Sequence, residues 1–243
     1  TIHHIAFDGW STEIFLKELK AWYRHYREGA PHGLPPLEIQ YKDYALWQRE
    51  YLSGEILDRE LAFWKGDMAG YQPLELPLDR PRPPEVDYSG DYHQIALDVE
   101  TSTKLRECAK RHGTTNYAVV LSAFYVLLRA YSGQDDIVVG SPTANRRYPQ
   151  IENLIGFFVN TLPMRCRFAS APDIETLIEN TAAALASMQT HQDLPFEKLV
   201  DLLGVPKDPS RHPLVQVMFS LQPFGGGGDG EARELFNPVD ISD

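Results

Sequence analysis

The sequence predicts a mixed α/β (α+β) protein, in which apolar strand-like runs lie among segments of helical periodicity. The run DIVVGSPTA is apolar and bounded by turn residues, a pattern typical of a buried strand. In contrast, Phe15, Leu19, Trp22 and Tyr26 recur at helical spacing and form one apolar face. The mixture of strands and helices therefore indicates an α/β or α+β fold.

The N-terminal part is predicted to contain the end of a strand followed by three helices. The strand covers residues 1–7. The first helix covers about 11–27, the second begins near Tyr41, and the third covers 55–68. Asp8-Gly9 is a turn signal between the strand and the first helix, and Ser53-Gly54 interrupts the second helical stretch.

A proline-rich segment then marks a boundary. Five prolines lie between Pro73 and Pro84, a density that excludes a helix interior and favours an extended crossing segment. We therefore expect the chain to divide into residues 1–85 and 86–243.

The C-terminal part is predicted to alternate between strands and helices. Gly113 is predicted to end a helix, and Pro163 argues for an edge strand or a bulge. Gly225–Gly228 and Gly230 predict a flexible tip, and the residues after it show no clear pattern. The predicted strands are YHQIALDV, DIVVGSPTA, GFFVNTLPMRCRF and PLVQVMFSLQ, and the predicted helices are 102–111, 116–131, 174–190 and 196–203.

Composition restricts the class of partner. The 243 residues carry a formal net charge of −11, which disfavours nucleic acid and anionic membranes. No apolar run approaches the ~20 residues of a membrane helix. Cys108 and Cys166 have no metal or redox spacing, so we expect reduced thiols and a cytoplasmic protein.

The opening string HHIAFDG holds the candidate chemistry. In a strand, successive side chains point to opposite faces, so His3 and His4 would not share a metal ion. That favours one histidine in a cavity and the other in its wall. Asp8 can cap the following helix, and Gly9 suits a tight turn or a close approach to a ligand. A single histidine is more often structural, and spacing alone leaves both interpretations open.

The chemistry that this string permits is general-base or hydrogen-bonding assistance to an acyl acceptor. It contains no nucleophile, and the chain has no G-x-S-x-G elbow. These absences favour direct transfer between two bound substrates over a covalent acyl-enzyme.

Five segments in order resemble the motifs of the condensation domain of nonribosomal peptide synthetases, a family with the fold of chloramphenicol acetyltransferase. The resemblance extends over nearly the whole chain. The segments are HHIAFDGWS (3–11), YKDYALWQ (41–48), IGFFVNTLPMR (155–165), HQDLPFE (191–197) and KDPSRHPL (207–214).

The resemblance implies peptide-bond formation between two aminoacyl or peptidyl thioesters. It implies no cofactor bound by the domain itself, because both substrates arrive on phosphopantetheine arms of upstream and downstream carrier proteins beside an adenylation domain. It also implies two lobes with a tunnel between them. The catalytic residue would be His4, with His3, Asp8 and Gly9 structural. The residues implied to line the tunnel or substrate site are Trp10, Asn160 and His212.

The sequence departs from the family pattern in three ways. His212 stands where many members have asparagine. Two earlier motifs are absent, so the first lobe would be incomplete and Asp8 would lack the arginine expected from that missing part. We also expect the C-terminal end to be incomplete and the fragment itself to be inactive.

The motif HQDLPFE raises a metal interpretation that the spacing disfavours. His191, Asp193 and Glu197 are potential ligands, but Pro195 interrupts the helical register that would align them. Capping of the helix at 196–203 is the better interpretation.

Two alternatives of the same fold stay open: an epimerisation domain, and a non-catalytic condensation-like domain that recruits a partner. A heterocyclising member would carry aspartate in place of the histidines. The role of His4 also stays open. It could remove the proton as the amine attacks, or only orient the amine by a hydrogen bond.

Overall fold

A computed structural model of the protein describes residues 1–168, 173–206 and 208–221. These residues contain helices and strands in mixed order, which confirms the α/β class. A 3-10 turn at His4–Ala6 precedes the first helix. The helices are α1 Gly9–Glu28, α2 Tyr41–Tyr51, α3 Gly54–Met68, α4 Val99–Arg111, α5 Asn116–Ser132, α6 Pro149–Glu152, α7 Ile174–Thr190 and α8 Phe196–Leu203, and the strands are β1 Asp136–Thr143 and β2 Asn160–Arg167.

Side-chain caps define where the long helices begin. Asp8, Thr115 and Asp173 each accept a hydrogen bond from the backbone amide three residues ahead, at the starts of α1, α5 and α7. Helices α1 and α5 end at Gly29 and Gly133, whose φ angles of 70° and 69° lie in the left-handed region.

The strands β1 and β2 form an antiparallel pair in which Pro163 lies opposite Gly140. The Gly140 amide donates to the Val217 carbonyl at 2.9 Å, and its carbonyl accepts from the Phe219 amide at 2.8 Å, on the side away from β2. Gly140 and Pro163 are therefore a non-hydrogen-bonded pair, so the missing N–H of proline breaks no bond to β1. The predicted strand PLVQVMFSLQ is reduced to a parallel bridge between Gly140 and Met218.

The described residues separate into two compact units. The first unit contains Thr1–Tyr51 and Ala144–Val159, and the second contains Leu52–Thr143 and Asn160–Ser220. This division differs from the boundary predicted at residue 85. The reason is that the start of the proline-rich segment belongs to the second unit, where the Leu74 amide donates to the Gln216 side chain at 2.9 Å.

Each unit has its own apolar core. In the first unit a small core joins α2 to the segment around α6. In the second unit α3, α5, α7 and α8 supply apolar side chains that surround β1 and β2. The core of the first unit is Tyr44, Ile151, Leu154 and Phe158, and the larger core includes Trp64, Leu121, Ile137, Val139, Met164, Leu177 and Leu199.

Two predicted strands are wrong. Residues 1–7 form no strand because side chain-to-backbone bonds of His3 and His4 fold this segment into the 3-10 turn. Residues 92–98 have no regular structure, and α4 already begins at Val99 with Asp98 as its cap. The predicted glycine tip and the residues after it lie outside the described residues.

Candidate active site around His4

A buried carboxylate organises the start of α1. Asp8 is 3% exposed, and its Oδ1 accepts from the Ser11 amide at 2.9 Å and from the Ser11 hydroxyl at 2.7 Å. Its Oδ2 accepts from the Phe158 amide at 3.0 Å. One side chain therefore caps α1 and also binds the loop that follows α6.

Arg146 is the ionic partner of Asp8. Its Nη2 lies 3.0 Å from Asp8 Oδ1, with side chains only 1% and 2% exposed. Its Nη1 donates to the carbonyl oxygens of Ile151 at 2.6 Å and Leu154 at 2.7 Å. The expectation that this arginine belongs to a missing N-terminal part is wrong, because the chain carries it three residues after β1.

Hydrogen bonds and charge keep this pair ionised. Burial opposes ionisation of Asp8, but hydrogen bonds from Ser11 and Phe158 and the charge of Arg146 outweigh it and lower the Asp8 pKa. Burial lowers the pKa of Arg146, and the attraction of Asp8 opposes that effect. Both groups are charged at neutral pH.

His4 presents one ring nitrogen as an acceptor. Its Nδ1 lies 2.7 Å from the Phe7 carbonyl oxygen, which can only accept, so we assign the proton to Nδ1. In the neutral ring, Nε2 then carries the free lone pair. The side chain is exposed, and its ring lies edge-on to the ring of Phe157 with centroids 5.1 Å apart.

His3 acts within the turn. Its Nδ1 accepts a hydrogen bond from the Ile5 amide at 3.1 Å and so caps the 3-10 helix. The two adjacent histidines therefore have different tautomers and different partners. This difference arises from the 3-10 turn and not from the strand alternation that the sequence suggested.

Gly9 and Trp10 begin α1. A Cβ at Gly9 would meet nothing within 4 Å, so the structure shows no steric need for glycine there. The indole Nε1 of Trp10 donates to the Glu152 carbonyl at 3.0 Å, while the residue is 50% exposed. The implied ligand-lining role of Trp10 stays a prediction.

Asn160 belongs to the second unit and is saturated with internal hydrogen bonds. Its Oδ1 accepts from the amides of Thr161 and Phe196, each at 2.9 Å. Its Nδ2 donates to the carbonyls of Gln192 at 2.8 Å and Leu194 at 2.9 Å. It thus caps α8 and fixes the preceding loop, and its implied substrate contact stays a prediction.

His212, also in the second unit, is exposed beside a cavity of about 160 Å³. Arg82 and Arg211 line the same cavity. Arg211 is bound to Glu75 at 2.6 Å and to Asp208 at 2.8 Å. The contribution of His212 to substrate binding stays a prediction.

The HQDLPFE segment forms contacts within the second unit. His191 Nδ1 lies 2.9 Å from the buried carboxylate of Glu60, and its ring stacks on Phe63 with centroids 3.7 Å apart. Asn160, outside this segment, accepts from the first amide of α8, and capping by the segment itself stays a prediction.

The thiol of Cys166 is not poised as a nucleophile. Burial, followed by the charge of Asp136, raises the pKa of the Cys166 thiol to about 12, so it is protonated at neutral pH.

Within residues 1–168, 173–206 and 208–221, no helix is long and apolar enough to span a membrane.

Sequence reasoning missed Ser11, Tyr41 and Arg146 as site residues. Ser11 is 0% exposed and links Asp8, Arg146 and the Gly156 backbone. The available signal for Arg146 was its position directly after an apolar strand. Only the folded structure shows that Arg146 contacts Asp8.

Comparison with known proteins places these features in a family context. The family model described as "Condensation domain" matches residues 1–238. A linear gramicidin synthase of Brevibacillus parabrevis is 47% identical over 225 residues, which cover 92% of this chain and 4% of that protein. Malpibaldin synthetase of Mortierella alpina is 45% identical over 223 residues, which cover 91% of this chain. The chain thus spans about 4% of the length of these two curated relatives.

Two solved structures share the fold. The X-domain in its complex with OxyB from teicoplanin biosynthesis has a TM-score of 0.82 at 30% identity, covering 89% of this chain and 49% of that one. The four-domain nonribosomal peptide synthetase AB3403, bound to AMP and glycine, has a TM-score of 0.81 at 26% identity. The match covers 93% of this chain and 17% of that one.

Proposed function

Because this chain belongs to the condensation-domain family of nonribosomal peptide synthetases, we propose that it forms an amide bond between two carrier-bound acyl groups. Each group is a thioester on the phosphopantetheine arm of a carrier protein. The downstream aminoacyl amine is the acceptor, and the upstream aminoacyl or peptidyl thioester is the donor.

The observation that carries this proposal is the Nε2 lone pair of His4. Because Nδ1–H is engaged by the Phe7 carbonyl, Nε2 can accept a hydrogen bond from the acceptor amine. That contact would point the lone pair of the amine toward the thioester carbonyl. The amine has an unperturbed pKa near ~8, so part of it is already neutral at cytoplasmic pH.

The reaction needs no nucleophile from the protein. The amine nitrogen attacks the thioester carbonyl carbon, the new C–N bond forms and the C–S bond breaks. The donor arm leaves as a thiol, which takes up the proton that the amine loses. The amide product is then held on the downstream carrier.

The contacts that hold the turn support this role of His4. The buried Asp8–Arg146 pair joins the segment that bears His4 to the loop after α6. Correct alignment of two bound reactants can supply a large part of an acceleration, so fixing this turn has a direct catalytic benefit.

The partners that this function requires are an upstream and a downstream carrier protein and an adjacent adenylation domain. The linear gramicidin synthase and AB3403 are synthetases by name, which supports this assignment. The domain would bind no cofactor of its own, and nucleic acid and membranes would not be partners. A cytoplasmic location agrees with two free cysteines in the described residues.

A second candidate is recruitment without catalysis. The likeness to an X-domain solved in complex with OxyB favours it. Against it stand the intact histidine pair and the higher identity, 47%, to a synthetase. Recruitment would make His4 dispensable, whereas amide formation would not.

The test uses the full-length protein with two carriers, one loaded with a donor aminoacyl group and the other with an acceptor. Mass spectrometry of both carriers is expected to show a dipeptidyl group on the downstream carrier. If no dipeptide forms, chiral chromatography of the aminoacyl groups released from the carriers identifies epimerisation by an inverted amino acid. Two unchanged carriers would refute both reactions and favour recruitment.

A further inference from the structure

The orientation of His4 depends on a residue that makes no contact with it. We propose that Tyr41, on α2, is a positioning residue that holds Phe157 against the His4 ring. This inference rests on the proposed function only for its catalytic consequence, since the contact itself can be observed without any reaction.

Two contacts fix the orientation of the His4 ring. Its Nδ1–H···O bond to Phe7 fixes one ring atom within the turn. The ring of Phe157 lies at 88° to the imidazole with centroids 5.1 Å apart. Because His4 is otherwise exposed, this edge contact supplies the second constraint on the plane of its ring.

The loop that bears Phe157 is held by hydrogen bonds with other residues of the first unit. Three side chains bind three successive residues of this loop. The Gly156 amide donates to Ser11 Oγ at 3.1 Å, and the Phe158 amide donates to Asp8 Oδ2 at 3.0 Å. The carbonyl oxygen of Phe157 accepts from the Tyr41 hydroxyl at 2.8 Å.

The Tyr41 ring packs against the same loop. A Cβ at Gly156 would lie 2.3 Å from Tyr41 Cδ2 and 2.9 Å from its Cε2, so the ring lies directly on the glycine backbone. The same ring is edge-on to Phe158 with centroids 5.0 Å apart. Gly156 is required here for close approach, since its φ is not among the positive values.

Tyr41 is also a dependable donor. Burial, with a smaller contribution from the charge of Asp8, raises its pKa, so the hydroxyl keeps its proton throughout the neutral range. The α2 helix, the Phe157 ring and the His4 ring thus form a continuous series of contacts within the first unit.

The test compares full-length proteins that carry ¹³C-labelled histidine. The His4 ring-proton signals, assigned by their loss in His4→Ala, carry a ring-current shift from Phe157 that Phe157→Leu removes. Tyr41→Phe is expected to move these signals toward their Phe157→Leu positions. Tyr51→Phe is the matched control, because Tyr51 lies on the same helix and stacks on Trp47. It is expected to leave the signals in place.

The kinetic arm tests the consequence. Tyr41→Phe is expected to lower kcat for amide formation ~10-fold at unchanged KM, since a small displacement of a reacting group is enough for such a loss. Gly156→Ala should give the same change in both measurements. The inference would be overturned if the His4 signals stayed in place in Tyr41→Phe. It would also be overturned if those signals moved in Tyr41→Phe while its kcat for amide formation equalled that of Tyr51→Phe. The NMR arm needs no turnover, so failure of the proposed function would be a separate result.

Discussion

Replacing Arg146 by methionine tests how the His4 turn is held. Methionine has an unbranched side chain like that of arginine, but it is apolar and carries no hydrogen-bond donor. The change takes away the bonds from Arg146 to Asp8, to the Ser11 hydroxyl and to the carbonyls of Ile151 and Leu154. The Asp8 carboxylate then stays buried with no cationic partner.

The expected cost follows from the burial of this pair. Both side chains are nearly inaccessible, at 1% and 2% exposure. Removing one partner of a buried ion pair costs about 3–5 kcal/mol, because the remaining charge is left uncompensated. At about 1.4 kcal/mol per tenfold change, amides that depend on the pair should lose roughly 10²-fold to 4 × 10³-fold in protection.

Hydrogen exchange followed by mass spectrometry measures this loss locally. The reporters are the amides of Ser11 and Phe158, which both bind Asp8. Arg27→Met is the matched control, because Arg27 is 53% exposed in its pair with Glu28 and should leave the reporters unchanged. Equal exchange in Arg146→Met and Arg27→Met would refute a structural role for the buried pair.

Three further predictions concern stability and reactivity. The folded pKa of Asp8 is lowered, so its contribution is complete above the unfolded pKa of about 3.9 and is lost as pH falls through the folded value. Urea midpoints measured at falling pH should show this component in wild type and not in Asp8→Asn. Asn160→Ala should destabilise the second unit by about 2–3 kcal/mol, because it leaves buried groups and the Phe196 amide unpaired, and a urea midpoint equal to wild type would contradict this. A thiol reagent should label half-buried Cys108 in the native protein, whereas Cys166 should react only after unfolding.

Local patterns predicted the long helices well. Helices α1, α5 and α7 carry their N-terminal caps within the sequence, and α1 and α5 also end at glycines, so their positions follow from short-range chemistry. The segment YHQIALDV shows what local patterns leave out. Its alternation is typical of a strand, but a strand also needs a neighbour, and the structure gives residues 92–98 none in the described part of the chain.

Core membership was harder to predict from periodicity. Trp22, Trp47 and Trp64 all lie on apolar helical faces, yet only Trp64 is buried, at 1% exposure. Trp22 is 39% exposed and stacks on His32, with centroids 4.3 Å apart. A periodic pattern identifies a face but does not show which neighbouring element covers it.

The candidate site was predicted in part. The motif located His4 and Asp8, because the residues that bear the chemistry are adjacent in sequence. It could not locate Arg146 or Tyr41, whose contacts to Asp8 and Phe157 join residues more than a hundred positions apart. Such pairs depend on the fold, and a single sequence without its structure does not specify them.

The role of His4 is tested most directly by single-turnover amide formation in the full-length wild type, His4→Ala and His4→Gln. The Gln side-chain oxygen can accept a hydrogen bond near the Nε2 position but cannot act as a base at neutral pH. If His4 orients the amine, His4→Ala should lose ~10²-fold or more in rate and His4→Gln should recover much of that loss. Amide formation by His4→Ala at the wild-type rate would contradict the assignment of His4 to the reaction.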